Sequence, residues 1–201
     1  MIAIIDYDAG NMMSVVKAFS HLGQEITVTR DEAALDKADK IILPGVGSFG
    51  DAMDRLNGYG LVPVIRRCIK EDKPFLGICL GLQLLYESSE ESPGVKGIGV
   101  LSGRIGKIPK GEYKKIPHMG WNSLSFPNEG RLFKGIGPNP YVYFVHSYYL
   151  EAADRSTVTA TTDYNVTIDA SIECKNLFAC QFHPEKSGSV GLAILENFIR
   201  L

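Results

Sequence analysis

The chain has 201 residues, 45% of them hydrophobic and 22% charged, with a formal net charge of -2 at pH 7. Such a composition suits a globular protein with one sizeable core and gives no bulk positive charge to hold nucleic acid or an anionic membrane. No apolar run approaches a membrane span, and Met1 leads directly into Ile2-Ala3-Ile4-Ile5, so neither a transmembrane helix nor a signal peptide is expected and the expected location is the cytoplasm.

Ile2 to Ile5 is continuously apolar, as a strand covered on both faces must be. Met12, Val15, Val16 and Phe19 follow at i, i+3, i+4 and i+7, and Gly23 supplies a helix stop. Residues 25–29 and 40–43 read as the second and third strands. A long helical stretch runs over 49–70, with a break near Gly58 and Gly60. The apolar run 74–78 reads as a further strand, and a helix is expected over 80–86. The order β-α-β-β-α-β-α predicts a mainly parallel open sheet flanked by helices, an α/β fold of the flavodoxin-like kind. From residue 94 to about 182 the pattern changes to short β-prone runs, such as 141–145 and 156–162, punctuated by Gly, Pro and Asn. These predict antiparallel strands in the second half. A last helix over 190–201 places Val190, Ile194, Phe198 and Leu201 on one face. No repeat or linker interrupts the chain, and one domain over 1–201 is expected.

The chemistry begins at Gly77-Ile78-Cys79-Leu80-Gly81, where a strand meets a helix. This is the layout of a nucleophile elbow with sulfur in the place of a serine oxygen. The glycines allow the tight turn, and the helix presents its positive dipole end to the sulfur, which favours the thiolate. By itself the pattern also fits a cysteine buried in a core. The other cysteines, Cys68, Cys174 and Cys180, lack such a setting. With no Cys-x-x-Cys spacing and no nearby histidine pair, neither a metal nor another cofactor is expected.

A cysteine nucleophile needs a base, and the base needs an orienting group. Of four histidines, His21 sits at a helix end, whereas His183 lies in Gln181-Phe182-His183-Pro184-Glu185. Pro184 biases His183 toward extended backbone, which puts His183 and Glu185 on one side of the chain, with Cys180 and Phe182 on the other. A lone His-x-Glu is usually a surface coincidence, but joined to the elbow it completes a Cys-His-Glu triad. Pro44-Gly45-Val46-Gly47 follows the third strand and leaves backbone N–H groups free to approach a ligand. In elbow hydrolases one oxyanion donor follows the nucleophile and the other comes from a neighbouring loop. Leu80 and Val46 fit those positions, although a simple turn would show the same residues. Gln83 falls one helical turn after Cys79, on the same face.

Together these segments resemble the class I, triad-type glutamine amidotransferases, nearly end to end. Within that class they are similar to the glutaminase subunits of imidazole glycerol phosphate synthase. The resemblance is carried by Asp6-Tyr7 with Gly10-Asn11, by 44–50, by Pro117-His118-Met119-Gly120-Trp121-Asn122, by 143–148 and by 181–187. The elbow and triad are generic to the class; the Pro-His-Met-Gly-Trp-Asn segment is the specific signal. Leu82 stands where methionine or histidine is usual, and Ala9 where glycine is frequent.

The resemblance implies Cys79 as nucleophile, His183 as acid/base and Glu185 as orienting carboxylate. It implies that Gly47, Gln83, Glu91, Ser147 and Tyr148 hold glutamine, although Glu91 also reads as one charge of the acidic run 87–91. It implies a partner interface formed by Asn11, His118, Met119, Trp121 and Asn122, with a (β/α)8 cyclase subunit as the partner in a heterodimer. On residues alone the Met/Trp segment reads as a loop capping the core, and Lys107, Lys110, Lys114 and Lys115 as a solvated face or the rim of that interface. Two other readings stay open: ammonia supply to a different synthase (for anthranilate, guanylate or pyridoxal phosphate), and a non-catalytic binding module that keeps the fold.

Overall fold

The computed structural model describes residues 1–111 and 115–201. The first half winds through β1 (Ile2–Ile5), α1 (Met12–His21), β2 (Ile26–Thr29), α2 (Glu32–Lys37), β3 (Lys40–Leu43), α3 (Phe49–Gly58), α4 (Leu61–Lys70), β4 (Phe75–Ile78) and α5 (Leu80–Leu84). The second half supplies β5 (Ser88–Ser89), β6 (Gly103–Lys107), β7 (His118–Ser123), β8 (Tyr141–His146), β9 (Tyr148–Ala152), β10 (Val158–Tyr164), β11 (Val166–Cys174), β12 (Leu177–Cys180) and α6 (Gly188–Ile199).

Ten strands form one sheet in the order β2-β1-β3-β4-β12-β11-β9-β6-β5, with β10 paired to β11. The run from β2 to β12 is parallel, while β12 to β6 is antiparallel. Residues of β1 alternate between two cores: Ala3 and Ile5 face one, Ile2 and Ile4 the other. The first core holds residues of α2 to α5 and the second those of α1 and α6, so helices cover both faces. This is why the strand sequences are continuously apolar rather than alternating. β7 and β8 pair with each other in a separate antiparallel ribbon.

The expected mainly parallel sheet with an antiparallel second half is therefore present, with differences in detail. Between β2 and β3 lies a helix the sequence reading omitted, α2. It has six residues, too few for a clear helical period, and its start is fixed by the Asp31 carboxylate, which accepts the Ala34 N–H at 2.9 Å. The long helix does break where expected: Gly60 sits at φ +67 between α3 and α4. The specific Met/Trp segment is not a loop but β7, in register with β8.

Parallel strands deliver their functional residues at one edge. The order 2-1-3-4 reverses between β1 and β3, and the turns after β1, β3, β4 and β12 all lie at the carboxyl edge. These turns carry residues 6–11, 44–48, 79 and 181–185. Packing at this edge is close enough to dictate glycine. A Cβ on Gly81 would stand 1.9 Å from the Leu43 carbonyl oxygen, and one on Gly77 would stand 2.9 Å from the Gly81 oxygen. A methyl group at residue 58 in α3 would meet nothing within 4 Å. Gly81→Ala is accordingly expected to lower unfolding free energy by at least about 3 kcal/mol. Gly58→Ala should be neutral or stabilising by up to about 1 kcal/mol. Denaturant midpoints of the two variants check both, and equal midpoints would refute the steric argument.

Candidate active site

At the end of β4 the chain turns sharply, with Cys79 at φ 55, ψ -108. For a residue with a side chain this costs on the order of 1–3 kcal/mol, which the surrounding contacts must hold in place. They include the Cys79 N–H donating to the Cys180 carbonyl at 2.7 Å and the Leu82 N–H donating to the Cys79 carbonyl at 3.0 Å. Leu80 and Gly81 are the first residues of α5, so their N–H groups have no intrahelical carbonyl to reach. The loop after β3 packs directly on this elbow. A Cβ on Gly45 would lie 2.9 Å from Leu80 Cβ and 2.4 Å from Tyr7 Oη, and the Tyr7 hydroxyl donates to the Pro44 carbonyl at 2.8 Å. Gly47 then takes φ +104, a conformation closed to most side chains.

β12 brings in the second half of the site. His183 is extended (φ -100, ψ 95), as Pro184 demands, and a short 3-10 turn over Pro184–Lys186 then swings Glu185 back. Glu185 Oε1 accepts from His183 Nδ1 at 2.8 Å, with the two side chains 1% and 0% exposed. A carboxylate can only accept, so Nδ1 carries a proton and Nε2 is the nitrogen left for another partner. His183 Nε2 makes no hydrogen bond among the described residues, and neither does Glu185 Oε2. Burial alone would push the His183 imidazole down; the neighbouring Cys79 sulfur and the Glu185 carboxylate outweigh it and hold the imidazole above its ordinary value. The sulfur is near enough to act on that proton but makes no well-formed hydrogen bond to Nε2 in the resting chain.

A cavity of about 330 Å³ opens over the thiol. Its walls include Val46, Gly47, Cys79, Leu80, Gln83, Glu91, Ser147, Tyr148 and His183. Every residue singled out in the sequence for nucleophile, base, oxyanion or glutamine contact thus reaches one space, with Glu185 directly behind His183. Glu91 is not a charge of a solvated run. Its Oε2 accepts the Phe49 N–H at 2.8 Å at the start of α3, beside Ser92, whose Oγ accepts the Gly50 N–H at 2.9 Å. Gln83 is buried, and its Nε2 donates to the Tyr148 carbonyl (3.1 Å) and to Gln181 Oε1 (2.9 Å). That leaves Gln181 Nε2 facing the Cys79 sulfur at 3.7 Å. The sequence reading missed Gln181 as a site residue. Its signal was a polar side chain at the end of an apolar run, on the same strand parity as His183.

The expected interface residues divide. Met119 and Trp121 are 61% and 56% exposed on β7, and Tyr141 (59%) and Met13 (63%) also expose apolar surface. His118 is turned inward instead. It is 2% exposed, with ring centroids 4.6 Å from Phe144 and 3.9 Å from Tyr164, so its side chain offers no free surface to a partner. Asn11 donates to Glu185 Oε1 at 2.9 Å, and Asn122 donates to the Asp163 carbonyl at 3.2 Å. Lys107, Lys110 and Lys115 are exposed; Lys114 lies outside the described residues.

His118 and His146 also form a hydrogen-bonded pair whose tautomers can be assigned. His146 Nδ1 donates to the Tyr148 carbonyl at 2.8 Å, which can only accept. Burial, aided by the nearby His118 and His183, pushes His146 down to about 3, so its Nε2 is a lone pair at neutral pH. His118 Nδ1, 2.9 Å away, is then the donor. The Asn122 amide is oriented by Ser123 N–H donating to its Oδ1 at 2.9 Å, which presents Nδ2 to His118 Nε2 at 3.3 Å.

The family model for glutamine amidotransferase class-I matches residues 3–201. The chain belongs to the class-I glutamine amidotransferases. Imidazole glycerol phosphate synthase subunit HisH of Methanothermobacter thermautotrophicus is 49% identical over 201 residues, covering 100% of this chain and 98% of that protein. The HisH subunit of Aquifex aeolicus is 50% identical over 198 residues, covering 98% and 95%. At that level of identity over the full length, the chain sits with the HisH subunits inside the class. The fold agrees with solved structures: a glutamine amidotransferase crystal structure superposes with a TM-score of 0.76 at 18% identity (98% of this chain, 99% of that one). PurLQS from Thermotoga maritima gives 0.75 at 22% identity (99% and 97%).

The depressed His146 has a consequence for stability. Between its unfolded value near 6.5 and about 3, the unfolded chain binds a proton the native chain excludes, so this group makes stability fall as pH falls through that window. His146→Gln is expected to flatten the acid limb by up to about 1.4 kcal/mol per pH unit, the weight of one proton. Urea unfolding at pH 7, 6, 5 and 4 reads this, and parallel wild-type and variant curves would refute it.

Proposed function

We propose that the chain is the glutaminase subunit of imidazole glycerol phosphate synthase, hydrolysing glutamine and passing the ammonia to a (β/α)8 cyclase subunit in a heterodimer. One observation carries the reading: the thiol, the imidazole, the two candidate oxyanion residues Val46 and Leu80 and five candidate glutamine contacts line a single cavity, with a buried carboxylate on the imidazole. The site is built from both halves of the chain, in keeping with one domain over 1–201. Among the described residues no helix is long and apolar enough to cross a membrane, and the synthesis of a small metabolite fits a cytoplasmic location.

In this mechanism the Cys79 thiolate attacks the carboxamide carbon of glutamine. The oxyanion is stabilised by the N–H groups of Leu80 and Val46, each worth roughly 3–4 kcal/mol of barrier in comparable sites. His183 Nε2–H gives its proton to the departing nitrogen as the C–N bond breaks, releasing ammonia and leaving a glutamyl thioester. The neutral imidazole then takes a proton from water, whose oxygen attacks the thioester and frees glutamate and the thiol. Glu185 holds the ring in the tautomer that both steps need. Glu91 accepts the α-ammonium of glutamine, and the backbone at Gly47, Ser147 and Tyr148 together with Gln83 surrounds the rest. Every step is acid–base or nucleophilic, so no cofactor is called for. The cyclase uses the ammonia to make imidazole glycerol phosphate and aminoimidazole carboxamide ribonucleotide from a phosphoribulosyl formimino ribonucleotide. The exposed Met119 and Trp121, with Tyr141 and Met13, supply the aromatic and methionine surface on which it docks.

Purified chain should release glutamate weakly alone and strongly with the cyclase subunit and its ribonucleotide. Cys79→Ala should abolish glutamate release, while the paired cyclase keeps its turnover on added ammonium. Glutamine hydrolysis retained in Cys79→Ala would end the triad assignment. Full activity without the cyclase would discard the coupled-subunit reading.

A further inference from the structure

The turn between β1 and α1 is held more firmly than a surface turn requires. Arg30 donates to the carboxylates of Asp6 and Asp8 at 2.7 Å each, and its guanidinium lies 4.1 Å over the Tyr59 ring. Arg55 donates to the Asp8 carbonyl at 2.5 Å, and the Tyr59 hydroxyl donates to the Asp8 carboxylate. From this clamped turn two side chains reach the carboxyl edge of the sheet. Tyr7 meets the Pro44 carbonyl, and Asn11 Nδ2 donates to Glu185 Oε1 across 174 positions of sequence, at 2.9 Å.

Asn11 is unusual for what it does not do. It stands at the N-cap of α1, where an asparagine side chain normally accepts a backbone N–H of the first turn and stabilises the helix by about 1 kcal/mol. Here it makes no capping hydrogen bond, and its backbone takes φ 66, ψ 5. The side chain is committed to Glu185 instead. Because a carboxylate only accepts, the amide must present its NH2 group, so the direction of this bond is fixed without seeing a hydrogen. Oε1 therefore receives two donors, His183 Nδ1–H and Asn11 Nδ2–H, while Oε2 receives none among the described residues. With three rotatable bonds, a glutamate head held at one point can swing, and a second charge-assisted donor removes that freedom.

We propose that Asn11 is a positioning residue of the glutaminase site: its amide locks the Glu185 carboxylate in line with His183, and so ties the β1–α1 turn to the triad. The inference rests on the glutaminase reading above. It also gives the turn a role the expected interface contact does not, because a cyclase pressing on this turn would act on the orientation of Glu185.

The test is kinetic, with the complex at saturating cyclase and ribonucleotide. Asn11→Gly keeps the positive φ at no strain and removes only the donor. Asn11→Asp keeps shape and tolerance of that φ but sets a carboxylate against Glu185. Asn11→Gly should lower kcat for glutamate release about 10-fold and Asn11→Asp about 100-fold, the range by which losing a group that orients a metal-ligating side chain lowers activity, taken here as the analogue. KM for glutamine should stay within about twofold of wild type, because Asn11 does not line the substrate cavity. Turnover on added ammonium reports that the cyclase itself is active, and glutamate release that no longer rises with added cyclase reports that the complex is saturated. The proposal is overturned if kcat in both variants stays within about twofold of wild type, or if KM moves and kcat does not. It is equally overturned if a loss is seen only at limiting cyclase and is absent at saturation, since Asn11 would then be an interface contact only. Should Asn11→Asp fail to fold, the strain-free Asn11→Gly decides alone. A wild-type complex that released no glutamate would instead remove the glutaminase reading itself, before any variant is compared.

Discussion

Between the carbonyl oxygen of Leu43 at the end of β3 and the α-carbon of Gly81 in the first turn of α5 there is no room for a methyl group. That contact sets the geometry of everything above it. It lets the helix that follows the nucleophile approach the neighbouring strand, and it brings the loop 44–48 onto Leu80. It also allows Cys79 to occupy a backbone conformation an isolated chain would avoid. A parallel sheet makes such an arrangement cheap to repeat, because adjacent strands end at the same edge and their turns are neighbours by construction. Here four adjacent strands, β1, β3, β4 and β12, each contribute a turn to the same place.

The second constraint is polar. The cleft floor buries Gln83, Gln181, His183 and His146, and such groups are costly unless paired. The side-chain bonds form directed chains. One runs from Asn122 through His118 and His146 to the Tyr148 carbonyl, which also receives Gln83 Nε2. Another runs from Gln83 through Gln181 to the Cys79 sulfur. The unpaired atoms are as informative as the paired ones. Among the described residues His183 Nε2 and Glu185 Oε2 are buried without a hydrogen-bond partner, and Nε2 is the atom that the proposed chemistry needs free for proton transfer. A site that works by donating and accepting protons must leave its working nitrogen unspent.

Local pattern sufficed for most of the elements and for picking out the candidate reacting groups. The apolar runs of β1, β3 and β4, the break at Gly58–Gly60 and the glycine-flanked cysteine are all read from neighbours in sequence, and each has a local physical cause. What escaped was set by distant contacts or by too short a signal. α2 has six residues, less than two turns, and its apolar period cannot be told from chance. Residues 118–123 look like a loop because Gly120 and Pro117 punctuate them, yet pairing with β8 makes them a strand. That pairing directs His118 inward against Phe144 and Tyr164. For Glu91 the sequence left two readings open, a glutamine contact by resemblance and one charge of an acidic run, and only the folded chain shows the N-terminus of α3 donating to it. The Asn11–Glu185 bond spans nearly the whole chain, and no window of sequence contains both ends.

These connections bear on how a glutaminase is kept from wasting its substrate. The exposed Met119 and Trp121 lie on β7, whose His118 begins the path to the Tyr148 carbonyl at the cavity wall. Asn11 bonds Glu185 from a turn that also touches Pro44 through Tyr7. A partner covering both β7 and the β1–α1 turn would therefore press on the Tyr148 backbone, the Glu185 carboxylate and the loop 44–48 together. The three contacts involve different strands and are rigid in different ways: a neutral histidine pair, a charge-assisted amide and a phenol on a carbonyl. Such a layout favours activation by docking over activation by any single residue. The imidazole pair beside the cavity, the Glu185 carboxylate and the loop 44–48 are thus each braced from a separate side by contacts within the chain itself.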